Sequence, residues 1–525
     1  MARLAPLTAI AAVVSIAGCG SGCGKPADAP SPSAPSSETP EPDRAETDLT
    51  PVGDEEADAP LLPVLNGDAL HARVQAQRAA LGERAALFED AHGKPVPWIS
   101  SASDPEAAQA DFDDDFLDSL PGSSGLGGPA VARPEGEAIN GNALGLFVPI
   151  EPEGADPQPL QSFYAALDRL DAGEDPDGKV RVLVYGGSHT DADVYPHYLR
   201  SYLQERFGDG GHGFVHIARP WRWYRHIDVD VDGLKYWKTE HAQRRSGRMD
   251  GLYGLMGASL AARTKKAFGK VMPMEGVVGA KYELYYLQQP KGGSFRLFVD
   301  GEPKDKIKTR AKALGAGYHA FELPEGEHTV EVRLLGDGEV RMFGMTIERE
   351  TPGVVVDTLG IGGTKASNIL AWDDTIWGDN VERRSPDLVT LFYGTNEANG
   401  NASLEGYESD LRQVIDRIRQ HAPQASCLLI GPGDFPAPAE DGSWIPRPRV
   451  TEIIDTQRRV AAEVGCGFWD TRAFMGGELS MTQWASSDPP MARPDHIHFT
   501  RRGYTRIGMA LVDAMMVAYD ADRAP

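Results

Sequence analysis

The stretch Val180–Asp193 reads V-R-V-L-V-Y-G-G-S-H-T-D-A-D. Val180, Val182, Leu183 and Val184 form an apolar, β-branched run that stops at Gly186-Gly187, and Ser188 follows at once. Tyr195, Leu199, Tyr202 and Leu203 then recur at helical spacing, so a strand, a tight turn and a helix over Asp191–Phe207 are expected. A serine at that junction stands at the carboxyl edge of a sheet, beside the free N–H groups of a starting helix. It serves there as a nucleophile or simply as a helix cap. Taken alone, the stretch favours the cap.

Downstream of this helix the pattern changes twice. From about Trp223 to Arg349, short alternating strands (Tyr282, Leu284, Tyr286; Phe295, Leu297, Val299; Val330, Val332, Leu334) are separated by Asp300-Gly301, Glu325-Gly326 and Asp337-Gly338 turns. They predict an all-β sandwich or jelly roll. From Val354 an α/β alternation returns. Strand Val354–Thr358 leads to Gly360–Gly363, strand Leu388–Tyr393 leads to Gly394-Thr395-Asn396-Glu397, and helix Leu404–His421 precedes strand Cys427–Gly431. Helix Val450–Val464, strand Gly467–Asp470 and a last helix over Arg501–Tyr519 complete it, and Leu160–Leu170 is an amphipathic helix ahead of the first strand. The expected fold is an α/β parallel sheet with helices on both faces, interrupted by an inserted β domain. Ser188, Gly363 and Asn396 each follow a strand, so one sheet edge gathers all three.

Acyl transfer by serine needs a base, a group that orients the base, and donors for the developing oxyanion. His498, in Asp495-His496-Ile497-His498-Phe499-Thr500, fits the base, and Asp495 in the same loop fits the orienting carboxylate. Asp209-Gly210-Gly211-His212 has the same spacing, but it follows the first helix in a Gly-rich connector, and His212 is expected as a solvated surface residue.

The blocks G-G-S-H-T around Ser188, G-I-G-G-T around Gly363, G-T-N-E around Asn396 and D-H-I-H-F-T-R-R-G-Y from Asp495 resemble those of the SGNH (GDSL-like) hydrolase superfamily, over Leu160–Ile217 and Val354–Asp520. The resemblance implies a flavodoxin-like three-layer fold with Ser188 as nucleophile, His498 as base and Asp495 as its partner. The implied oxyanion donors are the N–H groups of Ser188 and Gly363 and the side-chain amide of Asn396, with Gly362 open as an alternative to Gly363. No metal or cofactor is implied. Gly187 departs from the pattern, since most relatives carry Asp before the serine, and this keeps an inactive glycan-binding protein as an alternative. His189 and Thr190 are expected to make local hydrogen bonds. The S-H-T-x-x-D block, the run Phe207–Phe214 and the β insert resemble the peptidoglycan O-acetylesterases within the superfamily. That likeness implies an acetylated glycan as partner and removal of acetyl from the C6 hydroxyl of N-acetylmuramic acid. O-acetyltransferases of exopolysaccharides share similar blocks.

The N-terminus reads as an address. Arg3 precedes an apolar stretch over Leu4–Ala17, too short to span a bilayer, and Ile16-Ala17-Gly18-Cys19 resembles a lipobox. It implies lipidation at Cys19, a membrane anchor and, with Gly20 following, a place in the cell envelope at the outer membrane. The expected organisation is a signal peptide (1–18), a Pro/Ala/Ser/acidic tether (19–65) and a helical and irregular N-terminal segment (66–155), with two helical patterns between residues 66 and 120. A first hydrolase segment (156–222), the β insert (223–350) and a second hydrolase segment (351–525) follow. Asp111 and Asp113–Asp115 lack the spacing of a calcium loop and read as a solvated face. The net charge of −25 over 525 residues argues against nucleic acid, which needs clustered Lys and Arg. Cys427 and Cys466 fall in or beside two core strands, as a disulfide or as buried thiols. Trp221, Trp223, Tyr224, Tyr236 and Trp237 stack on sugar rings or, for most of them, pack the junction of the two domains.

Overall fold

The computed structural model describes residues 148–521, except 153–154, 156, 222–223, 244–246 and 488–489. The leader with Cys19, the tether, the helices expected between residues 66 and 120, and Trp223 lie outside the described residues. The chain begins with α1 (Gln161–Asp171), β1 (Lys179–Gly186), α2 (Ser188–Asp191) and α3 (Val194–Phe207). Eleven strands follow: β2 (Gly213–Val215), β3 (Val229–Asp232), β4 (Lys238–His241), β5 (Ala258–Ala262), β6 (Phe268–Pro273), β7 (Gly279–Gln288), β8 (Ser294–Val299), β9 (Glu302–Lys308), β10 (Gly315–Gly326), β11 (Val330–Leu334) and β12 (Val340–Glu348). The α/β pattern resumes with β13 (Gly353–Gly360), α4 (Asp374–Arg384), β14 (Leu388–Phe392), α5 (Thr395–Ala398), α6 (Leu404–His421) and β15 (Ser426–Ile430). A small hairpin, β16 (Ala437–Pro438) and β17 (Trp444–Ile445), precedes α7 (Pro448–Val464), β18 (Gly467–Trp469), α8 (Thr471–Met475), α9 (Ser480–Ala485) and α10 (Arg501–Ala521).

β13, β1, β14, β15 and β18 lie side by side in that order, all parallel. Their side chains alternate between two cores. Val182, Val184, Val356, Leu388 and Leu428 meet Leu167 of α1, Leu199 of α3 and Leu511 of α10. Leu183, Tyr185, Val389, Leu391 and Leu429 belong with Trp377 of α4, Val414 of α6 and Ile453 of α7. Burial on both faces explains why these strands read as near-continuous apolar runs. The three-layer α/β expectation is met.

The inserted strands make two antiparallel sheets. One runs β10-β7-β12-β5-β4 with β2 also on β12, and the other runs β3-β6-β11-β8-β9. Tyr286 of the first meets Phe295 of the second edge-on, with ring centroids 5.7 Å apart, inside one shared apolar core. Half-buried alternation, as in Val330, Val332 and Leu334 of β11, is what made these strands visible as a pattern.

The helix expected over Asp191–Phe207 is broken in two. Asp193 takes a left-handed φ of 56° between α2 and α3, and its buried carboxylate accepts hydrogen bonds from Arg200, the Thr358 hydroxyl and the Ile227 N–H. Cys427 and Cys466 form a disulfide between β15 and the residue entering β18. His212 is buried, against the expectation of a solvated residue. Its ring shares a hydrogen bond with His226 at 3.0 Å, and the Gly-rich connector packs closely against β12 and β13, with Gly211 against Glu348 and Gly210 against Gly353.

Candidate active site

β1 ends at Gly186 because the turn closes tightly there. A Cβ on Gly186 would lie 2.0 Å from the Thr190 hydroxyl and 3.0 Å from the Phe392 carbonyl. Ser188 therefore opens a single helical turn against the carboxyl ends of β1 and β13. The helix-cap reading fails in detail: Gly187 occupies the cap position of α2, and Ser188 makes no side-chain cap bond to either helix.

The Asp495–His498 loop comes to this turn from just ahead of α10. Asp495 Oδ1 accepts the N–H groups of Ile497 and His498, both at 2.9 Å, which folds the loop back on its own carboxylate. His498 Nδ1–H donates to Asp495 Oδ2 at 2.7 Å, leaving Nε2 to accept from the Ser188 hydroxyl at 3.0 Å. Burial pushes the Asp495 carboxyl up, but the hydrogen bonds it accepts from the His498 ring and from the His498 and Ile497 N–H groups outweigh it and hold the group down at about 2. The His498 and Asp495 side chains are 36% and 43% exposed, so water reaches the site.

His189 supports the base from behind. Its ring stacks on Phe392 and lies within 5.8 Å of the His498 ring, and its Nδ1 shares a 3.0 Å hydrogen bond with the Tyr504 hydroxyl. Burial, with the nearby His498, pushes its pKa down to about 3, so it stays neutral.

The loop after β13 folds onto the same point. Ile361 N–H donates to the Gly186 carbonyl at 3.0 Å, and Thr364 N–H closes a turn back to Ile361. Gly363 holds a left-handed φ of 77° in that turn, a conformation that suits glycine. The Asp191 carboxylate lies against Gly362, where a Cβ would sit 3.3 Å from Asp191 Oδ2. Asp191 accepts the Trp221 indole N–H at 3.3 Å, and burial pushes its carboxyl up to about 7 in spite of this bond. Gln243, from the loop after β4, donates to the Gly363 carbonyl at 2.5 Å, so the β insert touches the turn directly.

Asn396 stands in α5, and its Nδ2 donates to the Thr364 carbonyl at 2.9 Å, with one N–H to spare. A Cβ on Gly187 would sit 3.3 Å from that nitrogen. Glu397 ties the two loops together by accepting the N–H groups of Gly394 and Ala366. The structure thus brings Ser188, His498, Asp495, Gly363 and Asn396 to one edge. Sequence reading missed Asp191, Gln243 and Glu397, whose roles rest on contacts between distant segments. Of the aromatic cluster, Tyr224 and Trp237 are buried, Trp221 is half-buried beside Asp191, and Tyr236 is 39% exposed.

A model of the GDSL-like lipase/acylhydrolase family matches residues 329–506. The match includes Gly363, Asn396, Asp495 and His498 but stops short of Ser188, which lies beyond the β insert. No curated protein matches the chain by sequence. A solved structure described as a peptidoglycan O-acetylesterase in action is 25% identical, with a TM-score of 0.57, covering 69% of this chain and 96% of its own. An acetyl xylan esterase is 17% identical at a TM-score of 0.24, covering 31% of this chain and 80% of its own. A family two carbohydrate esterase from Cellvibrio japonicus is 11% identical at a TM-score of 0.23, covering 58% and 98%.

Proposed function

We propose that this chain, which belongs to the SGNH (GDSL-like) hydrolase superfamily, is a cell-envelope esterase that removes O-acetyl groups from a glycan, with the N-acetylmuramic acid of peptidoglycan as its substrate. The continuous Asp495–His498–Ser188 hydrogen-bond chain beside the Gly363 turn and Asn396 carries the reading. The similarity to a peptidoglycan O-acetylesterase over nearly all of that protein supports the choice of glycan.

The steps follow from the atoms. Ser188 Oγ attacks the acetyl carbonyl carbon while His498 Nε2 takes its proton, and Asp495 stabilises the imidazolium that forms. The negative carbonyl oxygen is met by the N–H groups of Ser188 and Gly363 and the free N–H of Asn396. The sugar oxygen leaves with the proton from His498. Water then gives a proton to His498 and its oxygen to the acetyl carbon, the bond from that carbon to Ser188 Oγ breaks, and Oγ takes the proton back from His498 as acetate departs. The exposure of His498 and Asp495 favours water as acceptor over a second sugar. A 3.0 Å Ser188–His498 bond formed with Gly187 in place counts against an inert binding protein. The lipobox-like leader at Cys19 and the Cys427–Cys466 disulfide support an exported, oxidising location.

Purified full-length protein is expected to release acetate from O-acetylated peptidoglycan faster than from acetylated xylan. Ser188→Ala is expected to lower this by about 10⁶-fold. Unchanged turnover in the variant, or a preference for xylan, overturns the assignment in its chemistry or its substrate respectively.

A further inference from the structure

The β16–β17 hairpin carries side chains for which the chemistry above has no use. It leaves the carboxyl end of β15, the sheet edge that also holds Ser188, Gly363 and Asn396. Its base is fixed: the Arg447 guanidinium lies 4.1 Å from the centre of the Phe435 ring and donates to the Phe435 carbonyl at 3.2 Å. The strand-to-hairpin loop also packs under the candidate base. A Cβ on Gly433 would sit 3.0 Å from the ring of Phe499, the neighbour of His498. On β17, the Trp444 ring lies on His496 with centroids 4.0 Å apart and planes 30° from parallel. His496 stands two residues before His498, at a left-handed φ of 53°. Trp444 is only half-buried, and the adjacent Ile445 is 47% exposed.

An aromatic ring held on one face and half-open to water on the other side is costly to hydrate and adds nothing to a core. It matches one feature of a carbohydrate. A pyranose ring turns apolar C–H faces outward and keeps its hydroxyls at the rim, so a fixed aromatic face takes it by dispersion without desolvating the hydroxyls. An acetyl ester hangs from its ring by only a few bonds, so the ring that carries it must lie beside the serine rather than on it. We propose that Trp444, backed by His496, is the platform for the sugar ring that bears the scissile acetyl ester. This rests on the glycan-esterase reading and assigns that site a substrate-binding residue.

The test compares wild type, Trp444→Ala and Trp444→Phe on an O-acetylated muramyl disaccharide and on ethyl acetate, which has no ring to stack. Trp444→Ala is expected to raise KM for the disaccharide roughly tenfold, leave its kcat within about twofold, and leave kcat/KM for ethyl acetate within about twofold. Trp444→Phe keeps an aromatic face and should recover most of the loss. Equal losses on both substrates would mean that the hairpin only supports the His498 loop, and would overturn the proposal. No change on either substrate, with wild type active on the disaccharide, overturns the platform alone. A wild type that cleaves ethyl acetate but no acetylated glycan overturns the glycan reading and the platform together.

Discussion

Asp495 divides its work between its two oxygens. Oδ1 takes the backbone N–H groups that shape the loop, and Oδ2 takes His498 Nδ1–H. Asp495→Asn keeps the first function through its amide oxygen but loses the charge that favours the productive tautomer and the imidazolium. On the proposed roles, kcat for a simple acetate ester should fall roughly 10⁴-fold while the folded structure persists. Stopped assays alongside circular dichroism would check both halves, and a loss under tenfold would remove Asp495 from the mechanism. This pair was legible because both residues lie in one short loop. Spacing alone did not suffice, since Asp209 and His212 share it, and His212 turns out to be buried against His226. Asp191 and Gln243 were not legible. Their partners, Gly362 and Gly363, belong to a loop that only the folded sheet brings near, and nothing local in D-A-D or H-A-Q announces them.

Elements were more readable than their ends. Period-two and helical apolar patterns placed the parallel strands and the longer helices within a few residues, because burial on one or both faces leaves that period in the sequence. The break between α2 and α3 left no such mark. It depends on the buried bonds of Asp193 to Arg200 and Thr358, one on α3 and one on β13. The disulfide likewise depended on a topology that spacing did not show, the adjacency of β15 and β18. It closes a loop spanning 39 positions, which contains the Trp444 hairpin and α7. On chain-entropy grounds that closure stabilises the fold by about 4 kcal/mol. Replacing both cysteines by serine should lower unfolding stability in urea by about 2–4 kcal/mol and leave kcat on ethyl acetate nearly unchanged. A stability loss below about 1 kcal/mol would show that the packing of β15 on β18 suffices without the bond.

At the scale of the molecule, the β insert and the hydrolase layer share a buried ionic cluster. Glu348, the last residue of β12, accepts from Arg181 of β1 and from Arg384 at the end of α4. Arg384 also donates to Asp357 of β13, whose Oδ1 takes the Phe214 N–H of β2. Groups from the insert and from the hydrolase thus meet in one low-dielectric site just where β12 hands over to β13. No local pattern announced it, since each charge looked like an ordinary strand or helix terminus. Burial pushes the Glu348 carboxyl up, but Arg384 and Arg181 outweigh it and hold it well below its ordinary 4.5. A depressed carboxylate contributes stability above its unfolded pKa and loses it as pH falls toward the folded one. Glu348→Gln leaves two buried guanidinium groups short of a counter-charge, so at pH 7 it should cost about 3–5 kcal/mol. As pH drops below 4.5, the wild-type glutamate takes up a proton on unfolding and its advantage shrinks, so the two denaturation curves should converge. A gap that stays constant from pH 7 to the acid limit of folding would mean that the cluster acts by shape and hydrogen bonding alone, with the charge of Glu348 contributing nothing to the join between insert and hydrolase.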